Sequence, residues 1–261
     1  MGGKTKVGGT AYNISPATVK VGGTAYKIKH GKTKIGGTAY TISFSSIPSE
    51  YQQVKYIYYG TGTSYPYITL PFAAVSNMKW EFQGGRPSGV ADSSSTTYFT
   101  YIGYYGSSYA RTFARFYHNG EDSTRVQAHS YTRNAYVSTT QLTADTLYDV
   151  SVSFGPNRTT SGTTSVTFSG TTSTSSASTA GSNYTGSGLL LGRLSTSSTS
   201  SSYRGYGLYG RFTAYNSSNT VLCDLYPCYR KSDNVVGMYD VVSEQFLPPT
   251  NNASFSAGPN V

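Results

Sequence analysis

Residues 147–154 read LYDVSVSF. Val150, Val152 and Phe154 alternate with Asp149, Ser151 and Ser153, and a period of two marks a strand with one face buried and the other wet. Ten more segments of alternating or apolar character lie around it: 65–72, 78–83, 97–105, 114–119, 125–131, 164–170, 188–194, 209–215, 222–230 and 236–242. Turn formers separate them, and no stretch repeats its apolar residues at the helical spacing of 3.6. Eleven strands without helices predict a sandwich of two antiparallel sheets. The single tryptophan, Trp80 in MKWEFQ, is expected in its core.

Composition agrees. The 261 residues include 26 tyrosines and 29 glycines, and only 12% are charged. Hydroxyl groups supply most of the polarity, above all between Gly155 and Gly205, where TSVTF and GLLLGRL interrupt runs such as TTSTSSASTAGS. That region is read as strands joined by long polar loops. No apolar run is long enough for a membrane span. The N-terminus, MGGKTKVGGT, lacks the apolar stretch of a secretory signal, so synthesis in the cytoplasm without signal-directed export is expected, and the N-x-S/T triplets at Asn157, Asn183, Asn216 and Asn252 are read as chance.

The net charge of +9 is concentrated at one end. Residues 1–49 hold seven lysines and no acid, which leaves 13 of the 20 cations and all 11 acids to the remainder. The same stretch carries VGGTAY at 7–12 and 21–26 and IGGTAY at 35–40, a period of fourteen residues. Each repeat reads as a β-hairpin turning on Gly-Gly, which supplies the positive φ angles of a primed two-residue turn. Such a turn sets Val21 opposite Thr24, Lys20 opposite Ala25 and Val19 opposite Tyr26. One face then carries Val7, Tyr12 and Ile14 in the first repeat, Val19, Val21, Tyr26 and Ile28 in the second, and Ile35, Tyr40 and Ile42 in the third. The lysines occupy the other face. A lone hairpin is marginal in water, so the apolar face is expected to dock on a larger assembly or on sister copies. The lysine face either meets solvent, where it discourages edge-to-edge aggregation, or meets an acidic partner. It carries no aromatic groups for base contact, and no nucleic-acid partner is expected.

Chemistry-bearing constellations are sparse. The acids are scattered, without the E-x-D spacing of paired glycosidase carboxylates. His30, His118 and His129 have no metal-binding context, and no G-x-S-x-G elbow occurs. Asn119–Asp122 (NGED) could offer oxygens to calcium but lacks the order of a calcium loop, so a solvated turn is the expectation. Cys223 and Cys228, in VLCDLYPCYR, are expected free and at least partly buried. No enzyme, cofactor or metal is expected. The densest aromatic cluster is Tyr101, Tyr104, Tyr105, Tyr109, Phe116 and Tyr117, with Arg111 and Arg115 beside it. Aromatic faces pack on sugar CH groups and arginines bond hydroxyls, which makes these the candidate ligand residues. The alternative is that most of these rings fill the core.

Two terminal segments of the large region carry a family resemblance. IPSEYQQVKYIYYGTGTSYPYITL (47–70) resembles a motif of phage and prophage proteins of the general form LPxxYQxVEYIxSxGTQYIDTG. LYPCYRKSDNVVGMYDVVSEQFLPPTNNASFSAGPNV (225–261) resembles the closing segment of the same domain, and the GGTAY repeats resemble N-terminal repeats of phage tail proteins. The resemblance implies a hairpin module over 1–46 and a concanavalin A-like or laminin G-like jelly-roll sandwich over 47–261. It also implies a virion protein of tail or capsid, released by lysis, with other virion proteins, sister copies and a host-surface glycan as partners and no membrane insertion. A decoration protein without a ligand and a glycan-degrading enzyme are the alternatives. Where the family has an acid after Tyr-Ile, this chain has Thr69, so no ligand role carries over there. In the closing motif, an ion pair of Arg230 or Lys231 with Asp240 is expected to pin the last strands together.

Overall fold

A computed structural model describes residues 3–7, 10–14, 18–21, 24–27, 30–35, 38–43, 47–59, 65–75, 77–90, 97–105, 111–118, 124–130, 133–139, 142–155, 162–176, 188–193, 205–250 and 253–261. The described residues up to 43, and Thr97, Tyr98, Thr100, Tyr101, Tyr105 and Arg111, are described by backbone alone. The chain divides into two compact units, Met1–Glu50 and Tyr51–Val261.

Among the described residues the first unit contains three two-stranded antiparallel sheets. β1 (Gly3–Val7) pairs with β2 (Thr10–Ile14), β3 (Thr18–Val21) with β4 (Thr24–Lys27), and β5 (His30–Ile35) with β6 (Thr38–Ser43). The register is the one a two-residue Gly-Gly connection dictates: Val7 opposite Thr10, Val21 opposite Thr24 and Ile35 opposite Thr38. Of the expected docking residues, Ile28 lies outside the described residues and the other nine are described by backbone alone.

The second unit is an all-β sandwich of antiparallel sheets. Among the described residues seventeen strands build it: β7 (Tyr51–Gln53), β8 (Ile57–Tyr58), β9 (Ile68–Ala73), β10 (Lys79–Gly85), β11 (Thr97–Tyr105), β12 (Arg111–His118), β13 (Thr124–Ser130), β14 (Arg133–Thr139), β15 (Tyr148–Ser153), β16 (Thr163–Phe168), β17 (Thr171–Ser176), β18 (Gly188–Leu191), β19 (Leu208–Tyr215), β20 (Val221–Arg230), β21 (Val236–Asp240), β22 (Gln245–Leu247) and β23 (Ser256–Ala257). The larger sheet runs β17-β16-β15-β10-β19-β20-β21-β22, with β7, β8 and β23 attached at its side. The smaller runs β14-β13-β12-β11-β18-β9.

Alternation explains the core. Val150 and Val152 of β15 point inward with Trp80 and Phe82 of β10, Phe212 and Ala214 of β19, and Val166 and Phe168 of β16. The smaller sheet answers with Phe99, Ile102, Ala114, Phe116, Val126 and Ala128. Phe116 joins the layers edge-on, its ring 6.2 Å from Phe82 and 5.8 Å from Phe168. Trp80 is fully buried against Phe154 and Phe212. Each such side chain contributes roughly 1.5–3 kcal/mol on leaving water.

All eleven anticipated segments are strands. β7, β8, β14, β17, β22 and β23 were not anticipated. β17 (TTSTSS) contains no apolar residue and sits at the sheet edge. Hydroxyl pairs hold it, Thr163 to Ser176 at 3.1 Å and Thr167 to Thr172 at 2.9 Å, and the Asn134 amide of β14 donates to Ser175 Oγ at 3.0 Å. The β16–β17 turn places Ser169 and Gly170 at φ 48° and 78°, the left-handed pair of a primed hairpin.

The two segments that carry the family resemblance are zipped together. β7 pairs with β20, so Cys228 faces Gln53, and β8 pairs with β23, so Tyr58 faces Ser256. Tyr51 stacks on Phe246 at 5.1 Å, with Arg230 over the same ring. The expected ion pair to Asp240 is not formed. Arg230 bonds Asp233 instead, at 2.6 Å. Asp240, fully buried, accepts from the amides of Asp224, Val242 and Ser243 and from Ser243 Oγ. The carboxylate sits where the strand enters a turn, and nearby backbone donors satisfy it without a cation. Cys223 and Cys228 are free and buried, and burial pushes both thiols up, Cys228 to about 12.

Candidate binding cleft

The side chains that alternate away from the core on β10, β15, β19 and β20 form one polar face. Register sets Glu81 between Ser151 and Thr213, Gln83 beside Asp149, and Thr213 beside Asp224. A bulge interrupts the β10–β19 ladder: Phe82 faces Phe212 and Gly84 faces Tyr209, so Gly210 and Arg211 together oppose Gln83. Bulges re-aim side chains. Gly210 is required here, because a Cβ would lie 2.7 Å from the Gln83 Cβ and 2.9 Å from its Oε1.

A cleft of about 610 Å³ opens on this face, lined by Glu81, Gln83, Asp149, Ser151, Thr167 and Arg211, with Tyr148 and Thr213 at its sides and the Ser169–Gly170 turn at its rim. A second depression of about 360 Å³, with Lys55, Tyr226 and Val261 in its lining, shares Gln83 and Arg211 with the first.

Hydrogen bonds fix most of the polar groups. Gln83 Nε2 donates to Asp149 Oδ1 at 2.9 Å while its Oε1 accepts from the Arg211 amide at 3.3 Å. Arg211 grips Asp224 through Nε and Nη2, at 2.8 and 2.9 Å, and Thr213 Oγ1 donates to the same carboxylate. The Arg211 side chain is 44% exposed and that of Asp224 9%. The Tyr226 ring lies 4.9 Å from the guanidinium. Bonding to Asp224 raises the Arg211 pKa further above neutrality. Glu81 accepts from Lys79 at 2.6 Å and from Tyr215 Oη at 3.0 Å. The Lys79 bond holds its carboxyl below the usual range, which makes it a poor proton donor near neutral pH. Burial, then the bond to Glu81, pushes Tyr215 up to about 12.

Of the aromatic and arginine candidates on the other sheet, Arg115 and Tyr117 alternate with the core residues Ala114 and Phe116. Arg115 is half-buried, its guanidinium 5.1 Å from the Phe113 ring and 4.5 Å from the Tyr117 ring, and its Nε donates to Gln127 Oε1. Tyr117 is only 9% exposed and Phe113 is buried. Phe116 is core, and Tyr104 packs half-buried against the core. Tyr101, Tyr105 and Arg111 are described by backbone alone, and Tyr109 and Asn119–Asp122 lie outside the described residues. Arg115 and Tyr117 therefore come together, with Phe113 and Gln127 beside Arg115. Among the described residues, no group of three or more His, Cys, Asp or Glu side chains could hold a metal ion.

Sequence reasoning passed over the cleft. Its signal lay in the outward positions of MKWEFQ, LYDVSVSF and YGRFTAY, which are charged, amide or hydroxyl residues at nearly every step.

No protein-family model and no curated protein matches this chain. Solved structures similar to it include domains LG4-5 of the mouse laminin α1 chain, at 12% identity and a TM-score of 0.43, covering 81% of this chain and 48% of that one. The chain thus spans about half the length of that structure. A Scytalido-glutamic peptidase bound to a peptide-based transition-state analog is similar at 12% identity and a TM-score of 0.36, covering 76% of this chain and 99% of that one. Tailspike protein 2 of the Escherichia coli O157:H7 bacteriophage CAB120 is similar at 10% identity and a TM-score of 0.33, covering 67% and 27%.

Proposed function

We propose that this chain is a non-enzymatic phage virion protein, docked to tail or capsid through its hairpin repeats, whose sandwich binds a host-surface glycan in the cleft over β10, β15 and β19. The virion setting rests on the resemblance of the repeats and of the terminal segments. The cleft carries the binding reading: about 610 Å³ lined by two carboxylates, a guanidinium, an amide and hydroxyls, with Gln83 already held by its side-chain bonds to Asp149 and the Arg211 amide. Polar groups fixed before a ligand arrives lose little freedom on binding. The adjoining depression extends the contact beyond one sugar unit. Many copies on one particle convert weak single sites into firm attachment.

A glycan array probed with the full chain tests this reading, followed by titration of Gln83→Ala with the best oligosaccharide. Saturable binding that weakens about tenfold or more in the variant is expected, given the usual cost of losing a paired polar contact. Binding that survives the substitution unchanged would move the site elsewhere.

A further inference from the structure

The charges around the cleft do not cancel. Its lining holds one cation, Arg211, and two carboxylates, Glu81 and Asp149, while Lys79 and Asp224 stand beside them and Lys55 lies in the adjoining depression. Lys79 is bonded to Glu81, and Arg211 is bonded through two nitrogens to Asp224 with its face toward Tyr226. Asp149 accepts only the neutral amide of Gln83 and, among the described residues, has no cationic partner. It is exposed on the cleft wall, next to Ser151, which pairs with Thr167, and no core packing constrains it.

Resting on the reading of the cleft as a glycan site, we propose that it takes neutral glycan units and rejects acidic ones, with Asp149 as the specificity-determining residue. An ionised carboxylate only accepts hydrogen bonds, and two adjacent hydroxyls of a sugar ring match its two oxygens. A uronic acid, a sialic acid or a sulfated sugar would bring a second negative charge to Asp149. Lys79 and Arg211 are already neutralised, and Lys55 lies in the adjoining depression, whose lining does not include Asp149, so no cation lining the cleft itself is left over to offset that repulsion. Like charges roughly 5 Å apart at a wet surface weaken binding on the order of tenfold, and salt screens the effect.

The test uses the full chain and pairs of oligosaccharides: each neutral backbone beside a version carrying a carboxylate or sulfate. At low salt the neutral member is expected to bind about tenfold tighter, with the gap narrowing as salt rises. Asp149→Asn keeps the shape and the Gln83 bond, and it is expected to shrink the gap to about twofold. Asp233→Asn removes an exposed carboxylate paired with Arg230 and should leave the gap intact, which separates a local effect from net charge. Acidic members binding as tightly as neutral ones, or a gap unchanged in Asp149→Asn, would overturn the inference while leaving the glycan site standing. Failure of every oligosaccharide to bind would overturn the site itself and this inference with it.

Discussion

Each outer face of the sandwich carries a glutamine that bridges neighbouring strands, and the two have opposite surroundings. Gln127 accepts from Arg115 and donates to Asn134, at 3% exposure, in a row where rings and guanidinium cover one another. Gln83 accepts from the Arg211 amide and donates to Asp149, and it borders two open depressions. The first network is closed and the second is open. Aromatic and cationic residues gathered on a strand satisfy each other when their spacing brings them face to face, so their density measures cohesion. A binding face also needs space and groups with bonding capacity left over. That capacity survives where a bulge, Gly210 and short polar side chains keep the surface low.

Substitutions in the two regions should part company, beginning with the core side chain of the aromatic segment. Phe116→Ala opens a cavity between the sheets and should cost about 3–5 kcal/mol, read by denaturant unfolding. A stable variant that had lost only ligand binding would contradict the division. Asp224→Ala strips the partner from Arg211 and Thr213 and should cost about 2 kcal/mol, tempered by the exposure of the arginine. It should also weaken glycan binding as Arg211 moves. Arg115→Ala should cost about 1 kcal/mol through lost ring contacts and leave glycan affinity unchanged. Any loss of affinity there would restore the aromatic row as a site.

Gly210→Ala sharpens the contrast further. Its Cβ would clash with Gln83 and Leu147, so affinity and stability should both fall, measured side by side. The smallest effect concerns pH. The Glu81 pKa is depressed in the folded state, so its contribution is present above the ordinary carboxylate value of 4.5 and disappears as pH falls through the folded value. Because Lys79 and Glu81 are 38% and 46% exposed, that contribution is below about 1 kcal/mol. Tyr215 runs the opposite way: its pKa rises from 10.0 to about 12, so its contribution is complete below pH 10 and is lost as pH climbs toward 12. Acid and alkaline melts of Glu81→Gln and Tyr215→Phe read both.

Most of the sandwich was legible because one buried face imposes a period of two, as Val150, Val152 and Phe154 show. β17 was not, because its Thr and Ser side chains bury nothing and its hydroxyl bonds leave no periodic trace. The hairpin register followed from Gly-Gly alone. The cleft stayed hidden for a different reason. Its members come from strands far apart in the chain, Asp149 lying 66 positions and Arg211 128 positions beyond Gln83, and a bulge sets the contact with Arg211. Asp240 shows the limit of pairing arguments: cations stood nearby in sequence, yet turn amides satisfied the carboxylate.

The two glutamines offer the most direct measurement. In a titration followed by NMR, a bound neutral oligosaccharide should shift the side-chain amide signals of Gln83 and leave those of Gln127 in place. Movement of Gln127 with Gln83 silent would put the ligand on the opposite sheet and contradict the account.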